Sequence, residues 1–366
     1  MQQRNASPHV LVIGAGVVGL TTAVAARRAA YRVTLVAESF APHITSVIAG
    51  ALWEWPPAVC GHHRDEDSVV RAKDWCMDSY RNFIDLAADP ATGVHVREAV
   101  FYFRKPVDED PEQLAKMQEL SARVLGFRHD AGLIYQYGVS PRSGAVDAYC
   151  YQAPMIDTDA YLGWLLNQAR RAGCVILQGS IEGPLVEQQG QLLSTYRADA
   201  IVNCTGLGAV ELAGESMYPL RGALIHVRND GVGMPRITTA HAMAFDDTVG
   251  GQNMVFIVPR GEDRLVLGGL VEPGETATDL SLENHPPLRD MLERCQQFLP
   301  VLEKAALLEP KPVRTGLRPA RARGVRLEVE PGTRIVHNVG HGGSGVTFSW
   351  GCATEVTRLI STLAPR

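Results

Sequence analysis

The sequence predicts an α/β protein: a Rossmann-like nucleotide-binding domain interleaved with a mixed α+β domain built on a larger, antiparallel-rich sheet. A glycine-rich βαβ signature opens the chain, strands of βαβ type return after a long insertion, and alternating strands fill much of the rest. The length of 366 residues also exceeds that of a usual single domain. We therefore assign residues 1–56, 155–212 and 315–366 to the nucleotide-binding domain, and residues 57–154 and 213–314 to a substrate domain.

Composition excludes several other classes of protein. Hydrophobic residues make up 46% of the chain and charged residues 20%, which is ordinary for a globular protein. The formal net charge of −5 gives no reason to expect nucleic acid as a partner. Seven scattered cysteines form no Cys-x-x-Cys pair, which indicates reduced thiols in a cytoplasmic protein. The apolar run over 10–26 is shorter than the roughly 20 residues that span a bilayer, so no membrane association is expected.

The first strand, turn and helix predict a dinucleotide site. Residues 10–13 are continuously apolar and mostly β-branched, which is typical of a strand buried on both faces. In the G-x-G-x-x-G motif that follows, the first glycine permits a tight turn and the second lets a pyrophosphate approach the backbone. The third lets the helix pack on the strand. The motif consists of Gly14, Ala15, Gly16, Val17, Val18 and Gly19.

An acidic residue completes this signature. A second strand is predicted over 32–36, and Glu38 and Ser39 follow it. A carboxylate placed about 20 residues after the motif hydrogen-bonds the ribose of an adenosine. An acid at this position disfavours NADP, whereas the motif itself does not separate NAD from FAD.

Two stretches after the second strand contain residue types that occur in binding sites. Residues 46–53 are mostly small and end in an aromatic residue, so they could pass closely over a flat cofactor, although an ordinary packed loop has similar residues. The members that we assign to the cofactor site are Ala49, Gly50, Ala51 and Leu52. Cys60-Gly61-His62-His63 contains metal-binding side chains but lacks a second ligand pair at suitable spacing, so no metal site is predicted.

Hydrophobic periodicity predicts the remaining elements. Helices are expected over 69–87, 109–125, 157–173 and 287–299, and strands over 94–104, 133–139, 174–177, 198–203, 221–227, 254–258 and 264–270. Asp157 is the expected N-cap of the third helix, because its side-chain oxygen can accept a backbone hydrogen bond. The strand at 198–203 leads into a tight, polar turn that contains Cys204, Thr205 and Gly206.

A glycine-rich turn near the end of the chain follows a strand predicted over 334–337 and precedes a helix predicted from Trp350 onward. Such a turn brings backbone N–H groups close to a ligand and points a helix N-terminus at it. We interpret the turn as one wall of a redox cofactor site. Its members are Gly342, Gly343, Ser344, Gly345, Val346 and Thr347.

Together these motifs resemble the D-amino-acid oxidase family of FAD enzymes along nearly the whole chain. The resemblance rests on the N-terminal glycines, on residues 49–53, 202–206, 219–222 and 314–319, and on the last turn with Ser349-Trp350-Gly351. It implies a noncovalent FAD with its adenosine near Glu38, its adenine supported by the backbone of Ile181 and its pyrophosphate at the first motif. The loop at 49–52 would touch the isoalloxazine ring, and the last turn would hold its pyrimidine end.

The resemblance also implies a reaction. Arg318 matches the family's carboxylate-binding arginine, whose guanidinium presents two parallel donors to a carboxylate. The carbonyl of Gly343 would accept a hydrogen bond from the substrate amine. The implied reaction is oxidative deamination of an amino acid, most favourably a D-amino acid, with hydride transfer to the flavin and reoxidation by molecular oxygen to give hydrogen peroxide. Ammonia and a 2-oxo acid are the other products, and a homodimer is compatible with the resemblance.

The sequence departs from the family at the active-site tyrosine pair, whose positions fall at Gln252 and Phe256. Phe256 cannot donate a hydrogen bond to a carboxylate, and the loss of one such bond costs about 1 kcal/mol. Three interpretations stay open: a register shifted by a residue or two, an unusual substrate, or a substituting tyrosine. The candidate substitutes are Tyr135, Tyr137 and Tyr149.

Two further alternatives concern function. An unusual substrate would make the protein a specialised biosynthetic oxidase acting on a modified, cyclic or N-substituted amino acid. A flavin-binding protein without catalysis is the alternative from a different class. For Arg318 the alternative role is a salt bridge at the domain junction, the role that we expect for the neighbouring Arg314 and Arg321.

Overall fold

A computed structural model describes residues 7–56, 66–244 and 252–363 of the chain. The predicted surface loop Cys60-Gly61-His62-His63 lies outside these residues. The described strands are β1 His9–Ile13, β2 Arg32–Ala37, β3 Val94–Phe103, β4 Arg128–His129, β5 Asp147–Ile156, β6 Val175–Gln178, β7 Ala200–Asn203, β8 Met217–Arg228, β9 Ala240–Met243, β10 Val255–Arg260, β11 Arg264–Gly268, β12 Glu272–Pro273, β13 Val313–Arg321, β14 Arg326–Val329 and β15 Ile335–Val339. The described helices are α1 Val17–Arg28, α2 Glu66–Leu86, α3 Pro111–Ser121, α4 Leu133–Gln136, α5 Thr158–Arg171, α6 Leu185–Tyr196, α7 Ala209–Ala213, α8 Pro286–Phe298 and α9 Gly345–Leu363.

The N-terminal motif belongs to a largely parallel sheet. Within the described residues this sheet has six strands in the order β14-β15-β7-β1-β2-β6. Only β14 runs antiparallel to its neighbour there. Every residue of β1 is buried, because α1, α5 and α9 cover one face of the sheet and α6 and α7 cover the other. The return of β6 and β7 to this sheet confirms that the nucleotide-binding fold resumes after the insertion.

The second sheet is larger and mostly antiparallel. Its strands, counted over the described residues, follow the order β12-β8-β11-β10-β9-β3-β5-β4, and β13 pairs along β8. The pair of β3 with β9 is parallel. One face packs against α8, and the other packs toward the helices of the first sheet. This arrangement confirms the predicted fold class.

Strand β13 bears on the predicted division into domains. It pairs with β8 from Val313 to Arg321, so the boundary placed at residue 315 falls inside a strand of the larger sheet. The boundary at 155 falls inside β5 in the same way. The division into two discontinuous domains stays a prediction.

One predicted element is wrong, and another begins earlier than predicted. Residues 133–139 do not form a strand. Leu133–Gln136 forms a short helix, and the backbone hydrogen bonds of this segment join residues close in sequence. The Asp130 carboxylate accepts from the N–H of Gly132 at 2.8 Å and starts that turn. The last helix begins at Gly345 rather than at Trp350, since the N–H of Phe348 donates to the carbonyl of Ser344 at 3.0 Å. The other predicted elements are confirmed, with ends shifted by a few residues.

Asp157 caps α5 as predicted, and its side chain accepts from the N–H of Asp159 at 3.2 Å. The six cysteines in the described residues are buried and make no disulfide. In the same part of the chain, no helix is both long and apolar enough to cross a membrane. These described residues also contain no cluster of three or more His, Cys, Asp and Glu side chains that could bind a metal ion.

Candidate functional site

A cavity of about 510 Å³ lies at the carboxyl ends of the parallel strands, where the first sheet meets the second. This is the usual position of a ligand in an open α/β sheet. The predicted site residues that line it are Gly14, Ala15, Gly16, Val17, Val18, Glu38, Ser39, Ala49, Gly50, Ile181, Cys204, Thr205, Gly206, Arg318, Gly342, Gly343, Gly345 and Val346. Those that do not line it are Gly19, Ala51, Leu52, Gln252, Phe256, Ser344 and Thr347.

The glycines of the first motif permit close backbone approaches. Gly14 has φ +107°, and a Cβ placed on it would lie 2.5 Å from the carbonyl oxygen of Cys204. A Cβ on Gly19 would lie 2.0 Å from the carbonyl oxygen of Gly14. The first glycine therefore lets the turn pack closely against the end of β7, and the last lets α1 pack closely on the turn.

The N-terminus of α1 opens on the cavity and carries no acidic residue in its first turn. Ser46 was not among the predicted site residues, yet its Oγ accepts from the N–H of Val17 at 3.0 Å. Backbone N–H groups, a hydroxyl and a helix N-terminus together suit a pyrophosphate. The only sequence signal for this role was the hydroxyl pair Thr45-Ser46 between β2 and the small-residue loop. His43, Thr45 and Ile48 also line the cavity and were missed.

The part of the cavity around the tip of β2 is acidic. Glu38, at the tip of β2, is exposed and lines the cavity together with Glu182 and Glu211. The Glu211 carboxylate accepts from the N–H of Gly183 at 2.7 Å, which fixes the loop that follows β6. Carboxylates at this end suit the hydroxyl donors of a ribose and repel a 2′-phosphate. The residues present therefore fit an adenosine dinucleotide.

Arg318 lies against the backbone of β8. A Cβ placed on Gly222 would lie 2.0 Å from Nη1 of Arg318 and 2.3 Å from its Cζ, so the guanidinium occupies the space that a side chain would fill. Nη1 also lies 3.4 Å from the carbonyl oxygens of Arg221 and Leu270.

Two neighbouring arginines on β13 form ion pairs with carboxylates, in contrast to Arg318. Arg314 pairs with Asp159 at 2.9 Å and Arg321 pairs with Glu215 at 2.7 Å. Burial raises the pKa of the Glu215 carboxyl, but hydrogen bonds from Arg321 and Arg326 outweigh it and hold that pKa below its ordinary value. Across residues 7–56, 66–244 and 252–363, Arg318 has no carboxylate partner, which argues against the salt-bridge role for it.

The residues at the tyrosine-pair positions lie beside the cavity. Phe256 packs its ring against the loop of 49–52, because a Cβ on Gly50 would lie 2.7 Å from two of its ring atoms. Gln252 is exposed and donates from Nε2 to the carbonyl of Val271 at 2.8 Å. Leu270, the residue before Val271, contacts Arg318 through its carbonyl, so Gln252 lies near the arginine without lining the cavity.

The candidate substitute tyrosines do not line the cavity either. Tyr135 is 84% exposed. Tyr137 donates its hydroxyl to Glu98 on the face of the sheet that α8 covers. Tyr149 is buried among Phe101, Phe103 and Phe127. No tyrosine in the described part of the chain lines the cavity.

The last turn joins the two ends of the site. Gly342 has φ +54°, and its N–H donates to the carbonyl of Pro319 at 2.9 Å, which ties the turn to the residue after Arg318. A Cβ on Gly345 would lie 3.8 Å from a methyl group of Val17, so the turn also reaches the N-terminus of α1. The turn therefore spans the distance between the arginine and the first motif.

Several known proteins are similar to this chain over nearly its whole length. A family model described as FAD dependent oxidoreductase (DAO) matches residues 9–359. A D-amino-acid oxidase of Rubrobacter xylanophilus is 35% identical over 96% of this chain and 95% of that protein. One from Streptomyces coelicolor is 34% identical over 96% of this chain and 97% of that protein. The crystal structure of glycine oxidase from Geobacillus kaustophilus has a TM-score of 0.74, 17% identity and coverage of 98% of this chain and 96% of that one, which supports the fold.

Proposed function

The chain belongs to this family of FAD-dependent oxidoreductases, and from that premise we propose that it oxidatively deaminates an amino acid, most favourably a D-amino acid. The observation that carries the proposal is Arg318, a cation that lines the cofactor cavity and has no carboxylate partner among the described residues. A partly buried cation of this kind suits the carboxylate of a substrate. The names of the two bacterial relatives support the D-stereochemistry.

FAD is the family's cofactor, and the cavity residues divide among its parts. Glu38 and Ile181 would hold the adenosine, and residues 14–19 with Ser46 would hold the pyrophosphate. Residues 49–52 and the turn of 342–347 would border the flavin ring, with the N-terminus of α9 favouring negative charge at its pyrimidine end. Bound FAD would supply the acceptor for the hydride that leaves the substrate Cα.

Arg318 would hold and orient the substrate. Both of its backbone contacts use Nη1 at the long distance of 3.4 Å. Within the described chain Nη2 and Nε make no hydrogen bond, so they remain available as a pair of parallel donors. Hydrogen bonds to charged groups contribute about 1.5–3 kcal/mol each. The Gly343 carbonyl, on the cavity wall, would accept from the substrate amine and fix the second point of attachment.

A second candidate differs only in the substrate. Phe256 packs on Gly50, and no described tyrosine lines the cavity. A described wall without a tyrosine hydroxyl favours a substrate that needs less polar contact beside Phe256, such as an N-substituted or cyclic amino acid. This candidate keeps the carboxylate clamp and changes only the group bound opposite to it.

The remaining parts of the proposal concern the surroundings of the reaction. Molecular oxygen is the proposed electron acceptor, and hydrogen peroxide is the proposed product. Equal rates of oxygen uptake and peroxide release would support this proposal. A homodimer and a cytoplasmic location are proposed as well, the latter because the described cysteines are free thiols.

The test is anaerobic mixing of the FAD-loaded protein with a panel of D- and L-amino acids, glycine, N-methyl amino acids and cyclic imino acids. We expect at least one to bleach the visible absorbance of the oxidised flavin. Arg318→Ala should slow that bleaching by about two orders of magnitude, whereas Arg314→Ala, which removes an ion-paired arginine from the same strand, should not. A flavin that no member of the panel reduces would contradict the proposal.

A further inference from the structure

Arg260 is a buried arginine that the reaction described above does not use. It ends β10, and only 1% of its surface is exposed. In the part of the chain that the structure describes, it forms no ion pair within 4.0 Å, although Arg264 nearby pairs with Asp157 at 2.6 Å and with Asp159 at 2.9 Å. Burying a guanidinium without an ion pair is costly unless its donors are used.

The donors of Arg260 converge on the loop that follows β2 and on the first residue of α5. Nη2 donates to the carbonyl of Ala49 at 2.6 Å and to that of Gly50 at 3.1 Å. Nη1 donates to Oγ1 of Thr158 at 2.7 Å. That hydroxyl donates in turn to the carbonyl of Val47 at 2.6 Å. Arg260 and Thr158 therefore bind three backbone carbonyls of the stretch 47–50.

The orientation of these carbonyls decides what the loop presents elsewhere. In a trans peptide the N–H points opposite to the C=O. With the carbonyls of Ala49 and Gly50 turned toward Arg260, the N–H groups of Gly50 and Ala51 point away from it. Ala51 also has φ +54°, a left-handed conformation that is unfavourable for a residue with a Cβ and persists only where the surroundings enforce it.

The charge of Arg260 is maintained despite its burial. Burial lowers its pKa to about 10, and the nearby Asp157 partly opposes that shift. Arg260 is therefore protonated at neutral pH and donates charge-assisted hydrogen bonds. The buried His226 next to it stays neutral, because burial and the neighbouring arginines lower its pKa to about 3.

We propose that Arg260, through Thr158, is a positioning residue for the flavin site that sets the shape of the loop 47–51 on the cavity wall. Arg260 does not line the cavity, so it acts on the site only through the loop. The inference rests on the proposed placement of the flavin ring against this loop. The structural basis is a set of four hydrogen bonds. One joins the buried guanidinium to the Thr158 hydroxyl, and three join these two groups to the carbonyls of Val47, Ala49 and Gly50.

The test compares Arg260→Met with Arg264→Met. Both variants remove a guanidinium from the same junction, but Arg264 contacts Asp157 and Asp159 and not the loop. The first readout is hydrogen exchange of the amides at 49–53 in FAD-free protein. The others are the dissociation constant of FAD and the visible spectrum of the bound flavin. Arg260→Met should accelerate loop exchange and weaken FAD binding, each by about tenfold or more, and should alter the flavin spectrum.

Arg264→Met should lower thermal stability without changing the loop or the flavin spectrum. Arg260→Lys should restore only part of the effect, because one ammonium cannot reach Thr158 and both carbonyls in the same geometry. If Arg260→Met does not fold, Thr158→Val tests the same hydrogen bonds with a side chain of equal size and should change the same readouts less. Equal effects of the Arg260 and Arg264 variants on loop exchange and spectrum would overturn the proposal.

The two proposals fail in different ways. Loop exchange in FAD-free protein reports on the Arg260 contacts whether or not any amino acid is oxidised. Conversely, a wild-type flavin that no amino acid reduces contradicts the proposed function and leaves the loop measurement unaffected.

Discussion

Gly222→Ala should disable the carboxylate clamp without unfolding the protein. Gly222 lies in the middle of β8 and pairs with Gly316 of β13. A Cβ there would lie 2.0 Å from Nη1 of Arg318 and 2.3 Å from its Cζ and Nη2. These atoms are the far end of a flexible side chain, so the arginine moves and the strand stays. The substitution therefore changes the position of Arg318 while its charge is kept.

The size of the effect follows from that overlap. Ordinary contact between non-bonded atoms needs about 3.5 Å, so the guanidinium must shift by roughly 1.5 Å. A displacement of about 1 Å at a reacting centre can cost two orders of magnitude in rate. We therefore expect kcat/KM for an amino-acid substrate to fall about 100-fold, equivalent to about 2.7 kcal/mol of transition-state stabilisation. Thermal stability should change little.

The assay is a double-mutant cycle with Arg318→Ala, read as kcat/KM and as the dissociation constant of a 2-oxo acid from the flavin absorbance. Once Arg318 is removed, Gly222→Ala should have almost no further effect. Gly163→Ala is the control, because a Cβ on that helical glycine meets no atom within 4 Å. Losses that add up in the double variant would refute the reasoning, since they would show that Gly222 acts independently of Arg318.

Two further predictions concern other parts of the fold. Gly50→Ala would place a Cβ 2.7 Å from the ring of Phe256, and this overpacking should weaken FAD binding by about 1–3 kcal/mol. Adding Phe256→Leu to the same chain should recover most of the affinity for FAD. If the affinity is not recovered, the contact between Gly50 and Phe256 is not the cause of the loss. Because burial lowers the folded-state pKa of His226 to about 3, below its unfolded value near 6.5, the stability it contributes is complete above pH 6.5 and falls as the pH drops toward 3. At pH 5 this lowers the free energy of unfolding of the wild type by about 2 kcal/mol. In urea unfolding, His226→Gln should therefore lose less stability between pH 7 and pH 5 than the wild type does. An equal loss in both proteins would contradict the lowered pKa of His226.

The elements that were predicted well are those whose signal is local. The run from β1 through α1 to β2 carries its own periodicity, its turn glycines and its terminal acid, so the sequence could predict that Gly14 and Glu38 lie at one cavity. Asp157 was predictable for the same reason, because capping depends on adjacent residues. The short helix Leu133–Gln136 was missed because a brief apolar and aromatic run has no period long enough to separate helix from strand.

The parts that could not be predicted depend on contacts between distant residues. Arg318 could be named from a motif, but its position over Gly222 follows from the pairing of β13 with β8. The role of Arg260 depends on carbonyls more than 200 residues away along the chain. Ser46 likewise contacts Val17 only because the loop after β2 folds back on α1. None of these contacts could be predicted from the spacing of residues along the sequence.

The most direct test of the central claim is a single anaerobic comparison. The FAD-loaded protein is mixed with the D-enantiomer of the most reactive amino acid from the panel, with its L-enantiomer, and with the amine that lacks the carboxylate. The Arg318 clamp predicts rapid bleaching of the flavin by the D-enantiomer and reduction slower by about two orders of magnitude or more with the amine that lacks a carboxylate. With the amine also held by the Gly343 carbonyl, the L-enantiomer would direct its Cα–H away from the flavin, so it should react as slowly. Equal rates for the D-amino acid and its decarboxylated amine would contradict the claim.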